Sequence, residues 1–216
     1  MIAEAVIQKN KGKEVKSLYT LGEYFKLEEK AAYKSEFVNG KIIPMAEGTI
    51  NHGKISGAIY ALLFMLFFDK EDELAVFSND QKVYIPNYNR TVYTDTCVVL
   101  GKTETQNNGN QTILNPTLVV EVASKSTEQY DRTGKFRLYQ SLPSFKEYVL
   151  VNQEAPIVEV LYKIAENKWQ LTSYMGLDKV IELESLGVKL KMADIYKKAK
   201  DLKDPQSAFD FPEEAQ

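Results

Sequence analysis

Leu118-Val119-Val120-Glu121-Val122-Ala123 is a strand-length run that is apolar at every position but one. A run without alternation belongs to a strand covered on both faces, and such cover requires further layers around a central sheet. The exception is Glu121. An ionised carboxylate inside such a strand costs several kcal/mol unless it is paired, hydrogen-bonded or bound to a cation. Glu121 therefore either bonds to a buried arginine or backbone group, or forms part of a site.

The flanking pattern supplies the layers. Thr20 and Glu23 form a capping-box pair at the start of a first helix, with Leu21, Tyr24, Phe25 and Leu27 as its apolar stripe. From Tyr33 the period changes to two. YKSEFV, the turn Asn39-Gly40 and KIIPM read as a β-hairpin, since Asn-Gly suits a type I′ turn. Thr49 opens the longest helix, about residues 50–69, apolar at Ile55, Ile59, Leu62, Leu63, Leu66 and Phe67. Its far half, ALLFMLFF, is apolar nearly all round, which predicts burial on several sides or a subunit contact. LAVFS, QKVYIP, DTCVVL, TLVVEVAS, FKEYVLV, APIVEVLYKI and KWQLTSYM read as strands, the last two joined across Glu166-Asn167. A helix from about Thr127 to Ser141 follows the Glu121 strand. The polar, Gly/Asn-rich stretch from Gly101 to Asn115 predicts a long exposed loop. VIELESLGVKL and a short helix near Ala193–Lys200 close the domain.

This order of elements is α/β, of the α+β mixed-sheet type. The 216 residues suit one domain, and no repeat or compositional shift marks a linker. The expected organisation is a flexible Lys-rich arm at 1–18, a single domain at 19–200 and an acidic tail at 201–216.

Composition removes several function classes. The longest apolar run, Ala58 to Phe68, falls well short of the roughly 20 residues of a membrane span. The N-terminal residues lack a signal-peptide core, so the expected address is cytoplasmic. One cysteine and one histidine leave no tetrahedral Cys/His zinc site within the chain. Any metal would be held by oxygens, hence Mg²⁺, Mn²⁺ or Ca²⁺. A net charge of −3 excludes a protein that holds DNA through overwhelming positive charge. Residues 201–216 carry five acids and one base, however, so the near-neutral body can still present a basic face.

Asp95 opens the strand Thr96–Leu100 and by itself reads equally as a turn aspartate. Two acids heading neighbouring strands can converge, and carboxylates within about 4–6 Å repel unless a divalent cation neutralises them. Asp131 and Lys135 lie four apart on the following helix. They suit an exposed ion pair, or a Lys135 that points back at the strand end carrying Glu121, and spacing alone does not separate the two. Phe136 and Tyr139 fit the helix's packed side. Ser124 and Ser126 read as capping groups, because no second histidine exists to act as a base partner for a serine nucleophile.

LVVEVASKSTEQYDRTGKFRLYQSLPSFKEYVLVN resembles the Uma-two family of restriction-endonuclease-like proteins in the PD-(D/E)XK nuclease superfamily. That family's stretch runs as a valine-rich strand with Glu-Val-x-Ser, then Asp-x-x-x-Lys and a Tyr, then a strand ending in Leu-Val. YKSEFVNGKIIPMAEGTINHGKISGAIYALL is similar to the family's hairpin, histidine and long helix, and YTDTCVVL looks like its Pro-Asp strand. The resemblance covers roughly residues 20–200.

It implies a restriction-endonuclease-like core, a mixed β-sheet flanked by helices with extra β-hairpins, in which acids bind Mg²⁺ at the sheet's open end. Mn²⁺ can substitute, and DNA is the implied substrate. Asp95 would bind the metal, with Glu121 as second ligand beside the Val122 carbonyl. Glu36 would complete the acidic cluster, or be an ordinary solvated strand acid. His52 would touch phosphate or the acids, or be a helix-end histidine. Thr94 stands where the family has proline, and Ala123 where the superfamily motif has lysine. The family's lysine then maps onto Lys135, with Lys125 as local competitor because residues 121, 123 and 125 of an extended strand share a face. Asp131 would orient Lys135 or be a helix partner.

The implied function is metal-dependent endonucleolytic hydrolysis of DNA. A second reading is a catalytically silent module of the same fold for nucleic-acid binding or assembly. A third is an unrelated α/β domain whose acids are capped by Arg90 or Arg132. The apolar helix end and the Tyr- and Phe-rich strands suggest a homodimer.

Overall fold

The computed structural model describes residues 18–70, 73–106, 112–124 and 128–209. The expected arm lies outside them apart from Leu18, as do Lys125, Ser126, residues 107–111 of the long loop and the tail from Asp210 onward.

Thr20 caps α1 (Leu21–Glu28) through the expected capping box with Glu23. The hairpin of β1 (Ser35–Val38) and β2 (Lys41–Pro44) turns on Asn39 and Gly40, both at positive φ as a type I′ turn requires. Thr49 accepts a hydrogen bond from the His52 N–H and so starts α2 (Ile50–Leu66). Then come β3 (Leu74–Ser78), β4 (Lys82–Ile85), β5 (Arg90–Tyr93), β6 (Thr96–Leu100) and β7 (Leu118–Ala123). A π-helical segment, Tyr130–Lys135, runs into α3 (Phe136–Tyr139). The chain continues through β8 (Glu147–Asn152), β9 (Ile157–Ala165), β10 (Lys168–Met175), β11 (Val180–Leu183), β12 (Val188–Lys191) and α4 (Met192–Ile195).

The central sheet has the order β10-β9-β8-β7-β6-β3. Its β7–β8 pair is parallel and every other pair antiparallel, so the sheet is mixed as expected. A smaller antiparallel sheet has the order β2-β1-β5-β4. The chain steps from one sheet to the other between β5 and β6, and Thr94 and Asp95 are the step.

β7 is buried along its whole length. Leu118, Val120 and Val122 join the core formed with Ile55, Ile59 and Leu63 of α2 and with Ile181, Leu183 and Leu190 of the β11–β12 hairpin. Val119 and Ala123 join the opposite core with Tyr139, Phe145 and Tyr148. Glu121 shares their parity and therefore faces α3, not α2.

Some expectations need correction. β5 has no counterpart in the strands read from the sequence; it is a four-residue RTVY whose pairing with both β1 and β4 makes it a strand. The stretch Gly101–Asn115 is not wholly an exposed loop. Ile113 is fully buried and exchanges backbone hydrogen bonds with Lys82 and Tyr84, because its side chain closes the core beside β4. The run ALLFMLFF is not buried on several sides, the first of its two expected roles: Leu63 and Phe67 are buried, while Phe64, Met65, Leu66 and Phe68 are exposed. Glu147, passed over in the sequence, is fully buried and accepts bonds from the Glu184 N–H and from the N–H and hydroxyl of Ser185.

Candidate active site

The site forms where β6 begins beside β7. Thr96 pairs with Val120, so one further step along the ladder sets Asp95 beside Glu121. The Asp95 N–H still donates to the Val120 carbonyl at 3.2 Å, and Asp95 Oδ2 accepts from the Val122 N–H at 2.7 Å. The aspartate side chain thus takes over the ladder just before the strand begins. Because a strand residue's N–H and C=O point to the same side, the Val122 carbonyl lies on that edge too.

Glu121 is held on both oxygens. Lys135 Nζ lies 3.0 Å from Oε2, and the Tyr139 hydroxyl donates to Oε1 at 3.0 Å. Lys135 also donates to the Tyr93 carbonyl at 3.4 Å and lies 3.6 Å from Asp131 Oδ1, an ion pair longer than a hydrogen bond. Glu121, Asp131 and Lys135 are 3%, 4% and 7% exposed, which removes the exposed ion pair as an account of Asp131 and Lys135. The π-helical winding of Tyr130–Lys135 widens the turn that presents both residues to β7. Tyr148 fixes this segment by donating to the Asp131 carbonyl at 2.9 Å.

The smaller sheet and α2 close the cluster. His52 Nε2 lies 3.2 Å from Asp95 Oδ1. Glu36, on β1, accepts a backbone hydrogen bond from Tyr93 and sits in the field of Lys135, Asp131 and Arg90. Arg132 pairs instead with Glu128 and Glu159, away from the acids.

Burial pushes the Glu121 carboxyl well above the usual range, with Lys135 opposing and Asp131 and Asp95 adding to it. Burial raises Glu36 also. Desolvation works against the charge on Lys135, yet Glu121, Glu36 and Asp131 together hold its ammonium above the ordinary lysine value. The hydrogen bond to Asp95 raises His52. Cys97 is buried and pushed up to about 12 by that burial, so it is no thiolate nucleophile.

The donor set suits a hard divalent cation. Among the described residues no group of three or more His, Cys, Asp and Glu side chains is set to hold a metal. Mg²⁺ needs less: one or two carboxylates, with water and phosphate filling its other positions. Asp95, Glu121 and the Val122 carbonyl are oxygen donors of that kind. The four acids Glu36, Asp95, Glu121 and Asp131 also outnumber the cations Lys135 and Arg90 around them.

The structure thus brings together Glu36, His52, Asp95, Glu121, Val122, Asp131 and Lys135. The roles of the Tyr93 carbonyl and the Tyr139 hydroxyl escaped sequence reasoning. A carbonyl leaves no mark in a sequence, and Tyr139 read as a packing residue.

The fold is shared with a solved structure. A crystal structure of a putative nuclease belonging to DUF820 from Anabaena variabilis ATCC 29413 matches with a TM-score of 0.65 at 17% identity, covering 83% of this chain and 98% of that one. The model of the Uma2 family, described as "Putative restriction endonuclease", matches residues 21–193. Two uncharacterized proteins of Synechocystis sp. (strain ATCC 27184 / PCC 6803 / Kazusa) are similar in sequence. The first, sll1609, is 32% identical over 171 residues, 79% of this chain and 96% of its own. The second, slr1290, is 34% identical over 175 residues, 81% of this chain and 90% of its own. The chain belongs to the Uma2 family, whose description supports a nuclease.

Proposed function

We propose that the protein is a divalent-metal-dependent endonuclease that hydrolyses phosphodiester bonds of DNA. The observation that carries this reading is the buried Glu121–Lys135 pair, 3.0 Å apart, one residue from the Val122–Asp95 bond. Asp95, Glu121 and the Val122 carbonyl would hold Mg²⁺, or Mn²⁺ in its place. When bound, such a cation supplies Lewis-acid stabilisation of charge on the phosphoryl group and a more acidic water.

The remaining work belongs to the chain. Lys135 is held above the ordinary lysine range, so it stays an ammonium. Its part is to neutralise charge that develops on the phosphoryl oxygens, not to take a proton. Tyr139 and Lys135 fix the two oxygens of Glu121, and His52 and the Val122 N–H fix those of Asp95. Neither carboxylate then has to reorganise during the reaction. Lys135 takes the role that an in-strand lysine at position 123 would have, and Lys125 lies outside the described residues.

Among the described residues no helix is long and apolar enough to cross a membrane. On this reading the enzyme works in the cytoplasm. Incubation of supercoiled and single-stranded DNA with Mg²⁺ or Mn²⁺ is expected to give cleavage that a chelator abolishes. The silent-module reading takes its support from Ala123; it gains if no cleavage occurs and calorimetry detects no divalent-cation binding.

The exposed rings of Phe64 on α2 and Phe68 just past its end, edge-on with centroids 5.5 Å apart, with half-buried Tyr60 against Phe64 at 5.6 Å, support a homodimer through that helix end. Light scattering at micromolar concentration is expected to report twice the chain mass; a monomer removes this part of the reading.

A further inference from the structure

An aromatic ring stands beside the site that the chemistry above does not use. Tyr130 opens the π-helical segment and is 38% exposed. Its ring lies so close to Gly134 that a Cβ at that position would be 2.6 Å from Cδ2. Only glycine leaves the ring in this place. The Tyr130 hydroxyl accepts a hydrogen bond from Arg90 Nη1 at 3.3 Å.

Arg90 begins β5, three residues before the Tyr93 carbonyl that holds Lys135. Its guanidinium and the Tyr130 hydroxyl both feel Glu36, so the pair borders the acidic cluster. Among the described residues Arg90 makes no ion pair with a carboxylate, whereas Arg132 is engaged by two. A guanidinium with donors to spare matches a phosphate, and an exposed ring matches the face of a base.

We propose that Arg90 and Tyr130 form a binding rim for an unpaired nucleotide next to the scissile phosphodiester, the guanidinium taking its phosphate and the ring stacking on its base. The nucleotide must be unpaired because a base inside a duplex has both faces covered by its neighbours. This rests on the nuclease reading above.

The test is fluorescence anisotropy of a short labelled single-stranded oligonucleotide with the full-length protein and Ca²⁺, alongside a cleavage assay in Mg²⁺. Tyr130→Ala is expected to weaken binding roughly tenfold without changing its salt dependence, while Tyr130→Phe keeps the ring and binds as the wild type does. Arg90→Gln is expected to weaken binding and to flatten the slope of log affinity against log salt by about 0.7, the share of one phosphate in a single strand. A blunt duplex of the same sequence is expected to be insensitive to Tyr130→Ala. If Tyr130→Phe loses as much as Tyr130→Ala, or the duplex loses as much as the single strand, the stacking role is wrong. Wild-type protein that cuts DNA while neither Tyr130→Ala nor Arg90→Gln alters single-strand binding overturns the rim and leaves the nuclease reading standing. Protein that neither binds nor cuts overturns both.

Discussion

Glu121→Gln is expected to lower the rate of metal-dependent DNA cleavage by about 10²–10⁴, the range for removing one positioned acid–base or electrostatic group. Glutamine keeps the shape of the side chain and can still accept from Tyr139 or Lys135, so the protein should fold. What it lacks is the charge. Calorimetry with Mg²⁺ or Mn²⁺ is expected to show weakened binding in the same variant, because the cation then has a single carboxylate, Asp95, on the strand edge. Undiminished cleavage by folded Glu121→Gln protein would remove Glu121 from the site and with it the reading of β7 as the metal-bearing strand.

Lys135→Met is expected to abolish cleavage and also to destabilise the fold by about 3–5 kcal/mol, the cost of leaving one partner of a buried ion pair alone. The loss arises because Glu121 and Asp131 remain beside the site with no cation between them. Adding Glu121→Gln to Lys135→Met should restore part of the stability, since the charge at position 121 is then gone and only Asp131 is left without its cation. Urea denaturation of the wild type, the two single variants and the double variant measures this coupling directly. If Lys135→Met is as stable as the wild type, the ammonium is not buried against Glu121. If it also cuts DNA normally, the lysine of the site is another residue, and Lys125 becomes the one to test.

The two variants separate chemistry from packing. Glu121→Gln is expected to cost activity with little stability, whereas Lys135→Met costs both. The difference follows from the surroundings of each group. Tyr139 and Lys135 remain to bond with a glutamine amide, but a methionine sulfide offers nothing to Glu121, Asp131 or the Tyr93 carbonyl.

Local physics made much of the fold legible in the residues alone. The capping box at Thr20 and Glu23, the Asn39-Gly40 turn and the fully buried strand around Glu121 each follow from contacts within a few positions, and each occurs. The charge problem at Glu121 was equally plain, because desolvation of a carboxylate in an apolar strand depends only on its neighbours. Its solution was not. Spacing left Asp131 and Lys135 open between a solvated pair and a buried one, and tertiary structure decided it. Register sets Asp95 beside Glu121, the parity of β7 turns Glu121 toward α3, and the π-helical turn carries Lys135 inward.

β5 and the buried Ile113 were invisible for the same reason: four residues of RTVY and one isoleucine in a polar stretch acquire structure from partners far away in the chain. Sequence by itself determined every strand but β5 in outline, the caps at Thr20 and Thr49 and the need for a counter-charge at Glu121, since these depend on near neighbours. Only the tertiary structure decided which cation meets that need and which side chains share the site, since those contacts join residues 36, 52, 95, 121 and 135 across two sheets and two helices.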